Sequence, residues 1–202
     1  MEDARDRVQR IGGSGWRSLS CLLVLGMSVA CWQGSARAER SGASSWILVD
    51  TKTHTLSVFG GERLLARFDN IAIGRGGFSQ DRMRHDGTTP LGTFHIDRIN
   101  AQSRFRLFFG IDYPRPEHAQ RAFDAGRIDA EDYQRIVAAF ERRKSPPQDT
   151  PLGGQLGIHG LGAGDPRIHE LVNWTQGCIA LTNEQIRRLS QWIHVGMRVE
   201  VR

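Results

Sequence analysis

The sequence predicts a mainly β domain with a small helical insertion and a C-terminal helix, and three observations support this. Short apolar runs, several of them alternating, follow one another from Trp46 onward with turn residues between them. The 23 glycines are scattered along the chain, as a turn-rich globular domain requires. Helix-compatible patterns occupy residues 112–150 and the stretch after Thr182. With 202 residues, 39% hydrophobic and 24% charged, the chain can bury one real core, and its composition excludes disorder, collagen-like repeats and coiled coil.

Residues 39–45 read as a small polar linker to a domain over 46–202. Trp46-Ile47-Leu48-Val49 is a strand-like run ending at Asp50-Thr51-Lys52-Thr53, and Leu56 and Val58 alternate in a second run, so the pair predicts a β-hairpin. Gly60-Gly61 turns the chain into a strand from Arg63 to Phe68. Ile71-Ala72-Ile73 predicts another, stopped by Gly74-Arg75-Gly76-Gly77. Polar residues 79–89 are expected to form a long loop, and Thr89-Pro90-Leu91-Gly92 a turn feeding the strand Thr93-Phe94-His95-Ile96.

In the insertion over 112–150, Glu117 to Ala125 and Asp129 to Arg142 predict helices, with Asp129 as an N-cap and Pro146-Pro147 as a stop. Tyr113-Pro114-Arg115-Pro116 is stiff enough to set this pair as a wall or lid over a cleft. Six glycines between Gly153 and Gly164 surround Ile158-His159, which suits a buried strand emerging into a loop of close backbone approach. Thr182-Asn183-Glu184-Gln185 is a capping-box signal, with Ile186, Leu189 and Ile193 on one face of the helix behind it. Gly196 ends that helix, and Met197 to Val201 alternates as a closing strand.

The N-terminus reads as an export signal over residues 1–38. Arg5, Arg7, Arg10 and Arg17 precede an apolar run from Leu19 to Trp32 that is too short to span a bilayer comfortably, and Ala36-Arg37-Ala38 is a cleavage pattern. The mature protein is then expected in the periplasm or cell envelope, with no integral membrane domain after cleavage. Lipid attachment at Cys31 and an uncleaved anchor are the rival readings. The formal net charge of +5 is spread along the chain with no basic run or aromatic ladder, so no nucleic-acid partner is expected.

Cys21 and Cys31 leave with the signal, and Cys178 remains as the single thiol of the mature chain. It cannot form an internal disulfide, so it is either buried and inert or kept for its reactivity. Gly177 before it leaves room for an acyl group to approach. A thiol of pKa about 8.5 needs a base to act as a nucleophile at neutral pH. Of the seven histidines, His54, His85, His95, His118 and His194 read as solvated or packed. His159 ends an apolar strand beside Gly160 and is the candidate base; His169, in a polar segment, is the alternative. No metal-ligand spacing accompanies these residues, and neither metal nor cofactor is expected.

His159, fifteen intervening residues, then Thr175-Gln176-Gly177-Cys178 resembles the signature of the L,D-transpeptidase catalytic domain family (YkuD-type). Asp86-Gly87-Thr88-Thr89-Pro90-Leu91-Gly92-Thr93-Phe94 resembles that family's upstream G-x-T-P-x-G segment. The resemblance implies a domain of packed sheets in which Cys178 attacks the L-to-D amide of a peptidoglycan stem peptide and forms a thioester, with His159 as base. It further implies that the Gly160 carbonyl orients the imidazole and that backbone N–H groups at Gly177 and Cys178 receive the oxyanion. Thr175, Gln176, Pro90 and Gly92 are expected to bind substrate. An amine acceptor gives a crosslink and water a trimmed peptide, so L,D-carboxypeptidase activity is the alternative, and binding of wall peptide without catalysis is another. Two departures bear on that choice: Gln176 stands where the family usually has histidine, and Ala180 replaces a common Asn or Arg. A papain-like peptidase fits worse, because there the cysteine precedes the histidine.

Overall fold

The computed structural model describes residues 45–202. The signal, Cys21, Cys31 and the linker up to residue 44 lie outside the described residues. The predicted hairpin is β1 (Ser45–Asp50) and β2 (Thr55–Gly60), paired with Ile47 opposite Val58 and Val49 opposite Leu56. All four side chains are fully buried, each worth about 1.5–3 kcal/mol of removed apolar surface. β3 (Arg63–Asp69) adds antiparallel to β2.

Residues 71–73 depart from expectation. They make isolated bridges in place of a strand, Ala72 pairing with Ala180 and Gly74 with Thr175. The reason is topological: the chain leaves the sheet at its edge strand β3 and crosses at once to the opposite edge. The 79–89 loop is bracketed by two short parallel strands, β4 (Phe78–Ser79) and β5 (Thr89–Pro90). Asp86 organises it, accepting from Met83 N at 2.7 Å and from Thr88 N at 2.8 Å.

β6 (Gly92–Asn100) runs well past its predicted end and pairs with β7 (Phe108–Ile111), a strand that sequence reading passed over together with the 101–107 connection. After the insertion come β8 (Gly157–His159), the short β9 (Ile179–Ala180) and the closing strand β10 (Arg198–Val201). One eight-stranded sheet results, in the order β3-β2-β1-β10-β6-β7-β8-β9. β6 is its corner: Gly92 to His95 pair with β10, and Ile96 to Asn100 pair with β7, with a register shift between Ile96 and Arg98. The expected layers are therefore halves of one curled sheet, and both halves feed a single buried cluster that includes Phe94, Phe109, Ile158 and Ile179.

The insertion contains α1 (Pro116–Asp124) and α2 (Ala130–Glu141), with the Asp129 side chain capping α2 through Asp132 N. α1 buries His118, Ala119 and Ala122. The pair is tied to the 79–84 loop, where Arg121 donates to Gln80 O at 2.8 Å and Arg127 to Asp81 Oδ1 at 3.0 Å. A short helix α3 (Pro166–Leu171) precedes the Thr175 segment, and α4 (Asn183–Leu189) carries the full capping box between Thr182 and Gln185. No helix among the described residues is long and apolar enough to cross a membrane.

Candidate active site

β8 and β9 run parallel at one edge of the sheet, Ile158 beside Ile179 and His159 beside Ala180. This pairing brings His159, at the end of β8, and Cys178, just before β9, into one cleft of about 780 Å³. Its walls are Phe105, Phe108 and the polar side chains of the β6–β7 connection on one side, and Gln155 and Trp174 on the other.

His159 is 2% exposed and held on three sides by rings. Phe105 stacks on it at 4.2 Å between centroids, Phe108 at 6.3 Å, and Trp174 meets it edge-on at 5.8 Å. Its Nδ1 is 2.7 Å from Gly160 O. A carbonyl only accepts, so Nδ1 carries the proton and Nε2 keeps its lone pair. Burial holds the imidazole below its ordinary pKa against the opposing pull of the Gly160 carbonyl, and the charges of Arg104 and His169 lower it further. The ring is a neutral base at physiological pH.

The Cys178 turn is built from within. Thr175 Oγ1 donates to Cys178 O at 2.7 Å and accepts from Gly177 N at 3.1 Å. Beneath the turn lies Arg82, 5% exposed and without a carboxylate partner among the described residues. It donates to Thr88 O at 2.9 Å, Leu152 O at 2.6 Å and Gln176 O at 3.2 Å, and sits over the Tyr113 ring. Gly177 adopts φ +117°, and a Cβ there would lie 2.5 Å from Thr88 O. Gly177→Ala is therefore expected to displace the turn, with about 1–3 kcal/mol of lost stability and at least ~10-fold lower turnover. Thermal melts and rates check this; a variant matching wild type in both would show that the turn tolerates a side chain.

Cys178 Sγ lies 3.7 Å from Gln155 O and makes no hydrogen bond to the imidazole. Desolvation pushes the thiol up to about 11; the Gly157 backbone N–H, Arg82 and Arg98 pull the other way without overcoming it. Thiol and imidazole are both neutral at rest, so no thiolate–imidazolium pair stands ready in the cleft. The Gly177 N–H, expected to receive an oxyanion, is occupied by Thr175 Oγ1, whereas the Cys178 N–H makes no hydrogen bond among the described residues.

Of the residues singled out in the sequence, Cys178, His159, Thr175 and Gln176 line the cleft, with Gly160 and Gly177 directly behind them. Pro90 and Gly92 do not line it. Pro90 is buried in β5, and Gly92 lies against the His118 ring, so their segment supports the site through Thr88 O beneath Gly177. The insertion is no lid either: none of residues 112–150 lines the cleft, and α1 and the turn after it are anchored to the 79–84 loop. His169 is buried behind Trp174, its Nδ1 accepting from Trp174 Nε1 at 3.4 Å, and lies outside the cleft lining. Sequence reading missed Arg82, Gln155, Trp174 and the 101–107 connection with the strand ends beside it. The run Phe105-Arg106-Leu107-Phe108-Phe109 could have signalled the last. Among the described residues no group of three His, Cys, Asp or Glu side chains could hold a metal.

Desolvation is the largest cause holding His118, His159 and His169 below the ordinary histidine value of about 6.5. The unfolded chain binds protons at about 6.5 and the folded chain only below it, so their contribution to stability is complete above that pH. It is lost as the pH falls toward the folded values. The melting temperature is expected to hold nearly level from pH 7.5 to about 6.5 and to decline from there to pH 5.5; a rise on acidification would contradict this.

A search of curated protein sequences returned no match. Among solved structures, the chain is similar to the helical cell shape determining protein Pgp2 of Campylobacter jejuni, 20% identical over 78% of this chain and 47% of that one, with a TM-score of 0.54. It is also similar to an L,D-transpeptidase from Mycobacterium smegmatis, 15% identical over 80% of this chain and 59% of that one, with a TM-score of 0.43. The chain thus spans about half the length of the first of these structures. The family model for the L,D-transpeptidase catalytic domain matches residues 44–201.

Proposed function

Because the chain belongs to the L,D-transpeptidase catalytic domain family, we propose that it performs acyl transfer on peptidoglycan stem peptides through a thioester at Cys178, after export to the cell envelope. One observation carries the mechanism: the Gly160 carbonyl fixes the His159 proton on Nδ1, leaving Nε2 with its lone pair in the cleft that also holds the only thiol among the described residues. As Sγ attacks the scissile carbonyl carbon, its proton passes to Nε2, and the carbonyl oxygen takes negative charge opposite the free Cys178 N–H. The tetrahedral adduct collapses with cleavage of the C–N bond, and the imidazolium returns its proton to the departing amine. An incoming amine or water then attacks the thioester, giving up a proton to the same nitrogen and releasing the thiol. No metal or cofactor takes part in these steps.

Hydrolysis is the second reading, and Gln176 favours it. Its exposed side-chain amide stands in the cleft without a hydrogen bond among the described residues and can neither carry a proton nor become cationic. The mature protein, incubated with a defined tetrapeptide donor with and without a D-amino acid, is expected to release the terminal residue and, with acceptor present, to form some exchanged product. No change in any stem peptide would refute acyl transfer; release without exchange would assign the protein as a carboxypeptidase.

A further inference from the structure

The cleft around Cys178 and His159 is lined by two arginines and by no aspartate or glutamate. The two arginines differ in what they already hold. Arg98 Nη1 is 3.1 and 3.0 Å from the two Asp97 carboxylate oxygens, and its Nη2 donates to Gln155 Oε1 at 3.2 Å, so its charge and fork are used. Arg104 makes no hydrogen bond or ion pair among the described residues. Its guanidinium lies over the Phe105 ring, 4.7 Å from the centroid, and the same ring stacks on the His159 imidazole at 4.2 Å. The uncompensated cation of the cleft is therefore tied, through one shared ring, to the proposed proton donor.

The amine that leaves must come within hydrogen-bond reach of His159 Nε2 to take its proton. If the departing residue is the last of the stem, its α-carboxylate carbon is two bonds from that nitrogen, about 2.5 Å away. That carboxylate then lies within about 6 Å of Nε2, in the cleft whose lining includes Arg104, the one unpaired fork of donors there. We propose that Arg104 is a specificity-determining residue that takes the α-carboxylate of the residue on the amine side of the scissile amide, and the carboxylate of an amino-acid acceptor that enters the same place. Donors ending at that residue are preferred over longer or capped ones, in which an amide replaces the carboxylate and no charge meets the guanidinium.

This inference rests on the proposed acyl transfer at Cys178, and the test separates the two. The mature protein is given a tetrapeptide with a free C-terminal carboxylate and the same peptide as its C-terminal carboxamide, and kcat/KM is measured for each. Wild type is expected to favour the acid by roughly 10-fold, as for a charge-assisted pair at a partly exposed site. Arg104→Gln should bring the two within about 3-fold of each other, mainly by raising KM for the acid, and Arg104→Lys should restore part of the preference. Equal rates for acid and amide in wild type, or an undiminished preference in Arg104→Gln, would overturn the assignment of Arg104 alone. Turnover of neither peptide by wild type would overturn the acyl-transfer reading and this inference with it.

Discussion

Cys178→Ser is expected to lower turnover at least ~10³-fold while leaving the melting temperature near that of wild type. The sulfur is not what holds the turn together. That work falls to the Thr175 hydroxyl, the Gly177 backbone and the three carbonyls gathered by Arg82, none of which a serine disturbs. A hydroxyl in the same desolvated position is a far weaker acid than a thiol already raised to about 11, so the neutral imidazole cannot draw its proton off at a useful rate. The raised thiol has a second consequence: small alkylating reagents should label Cys178 slowly at pH 7 and progressively faster toward pH 11. A thiolate fully formed at pH 7 would contradict the neutral resting pair. Serine retaining more than a few per cent of the wild-type rate would remove Cys178 from the mechanism.

His159→Ala is expected to cost about 10²–10⁴-fold in kcat/KM, the range for loss of a positioned general base. Truncation also empties the space between Phe105, Phe108 and Trp174, so His159→Gln serves as a second variant that keeps volume and loses basicity. Both should abolish the acid limb of the pH–rate profile, which in wild type lies below the ordinary histidine value because burial lowers this group's pKa. His169→Ala should act through the placement of Trp174 and the loss of a charge that lowers the His159 pKa, with a smaller rate loss and an acid limb that persists, shifted slightly upward. If His169→Ala were the more damaged variant, or if the glutamine variant kept the acid limb, the base would have to be sought elsewhere.

Elements that signal themselves locally were legible in the sequence. The alternation of Ile47 and Val49 against Leu56 and Val58 announced the first hairpin, and Thr182 with Gln185 announced the cap of α4. His159 and Cys178, which the fold brings into one cleft, stood out in the sequence because glycine flanks each of them. What stayed hidden depends on contacts distant in sequence. Arg82 reads as one more charge in a polar loop, and only the fold turns it inward onto carbonyls 6, 70 and 94 residues away. Ile71-Ala72-Ile73 has the composition of a strand, yet it crosses between sheet edges and pairs through single bridges. Pro90 and Gly92 sit in a motif close in character to a binding loop. The burial of Pro90 in β5 and the packing of Gly92 against His118 follow from where the chain folds back on the insertion, which no local pattern states.

The central claim, covalent acyl transfer through Cys178 in the cleft shared with His159, is tested most directly by trapping the intermediate. Mature protein mixed with a tetrapeptide donor, acid-quenched within the first turnover and digested, should yield the Cys178 peptide carrying the donor's acyl portion as a thioester, without the departed residue. The same adduct should be absent from Cys178→Ser. Product release with Cys178 unmodified at every quench time, or an acyl adduct on any other residue, would contradict the account.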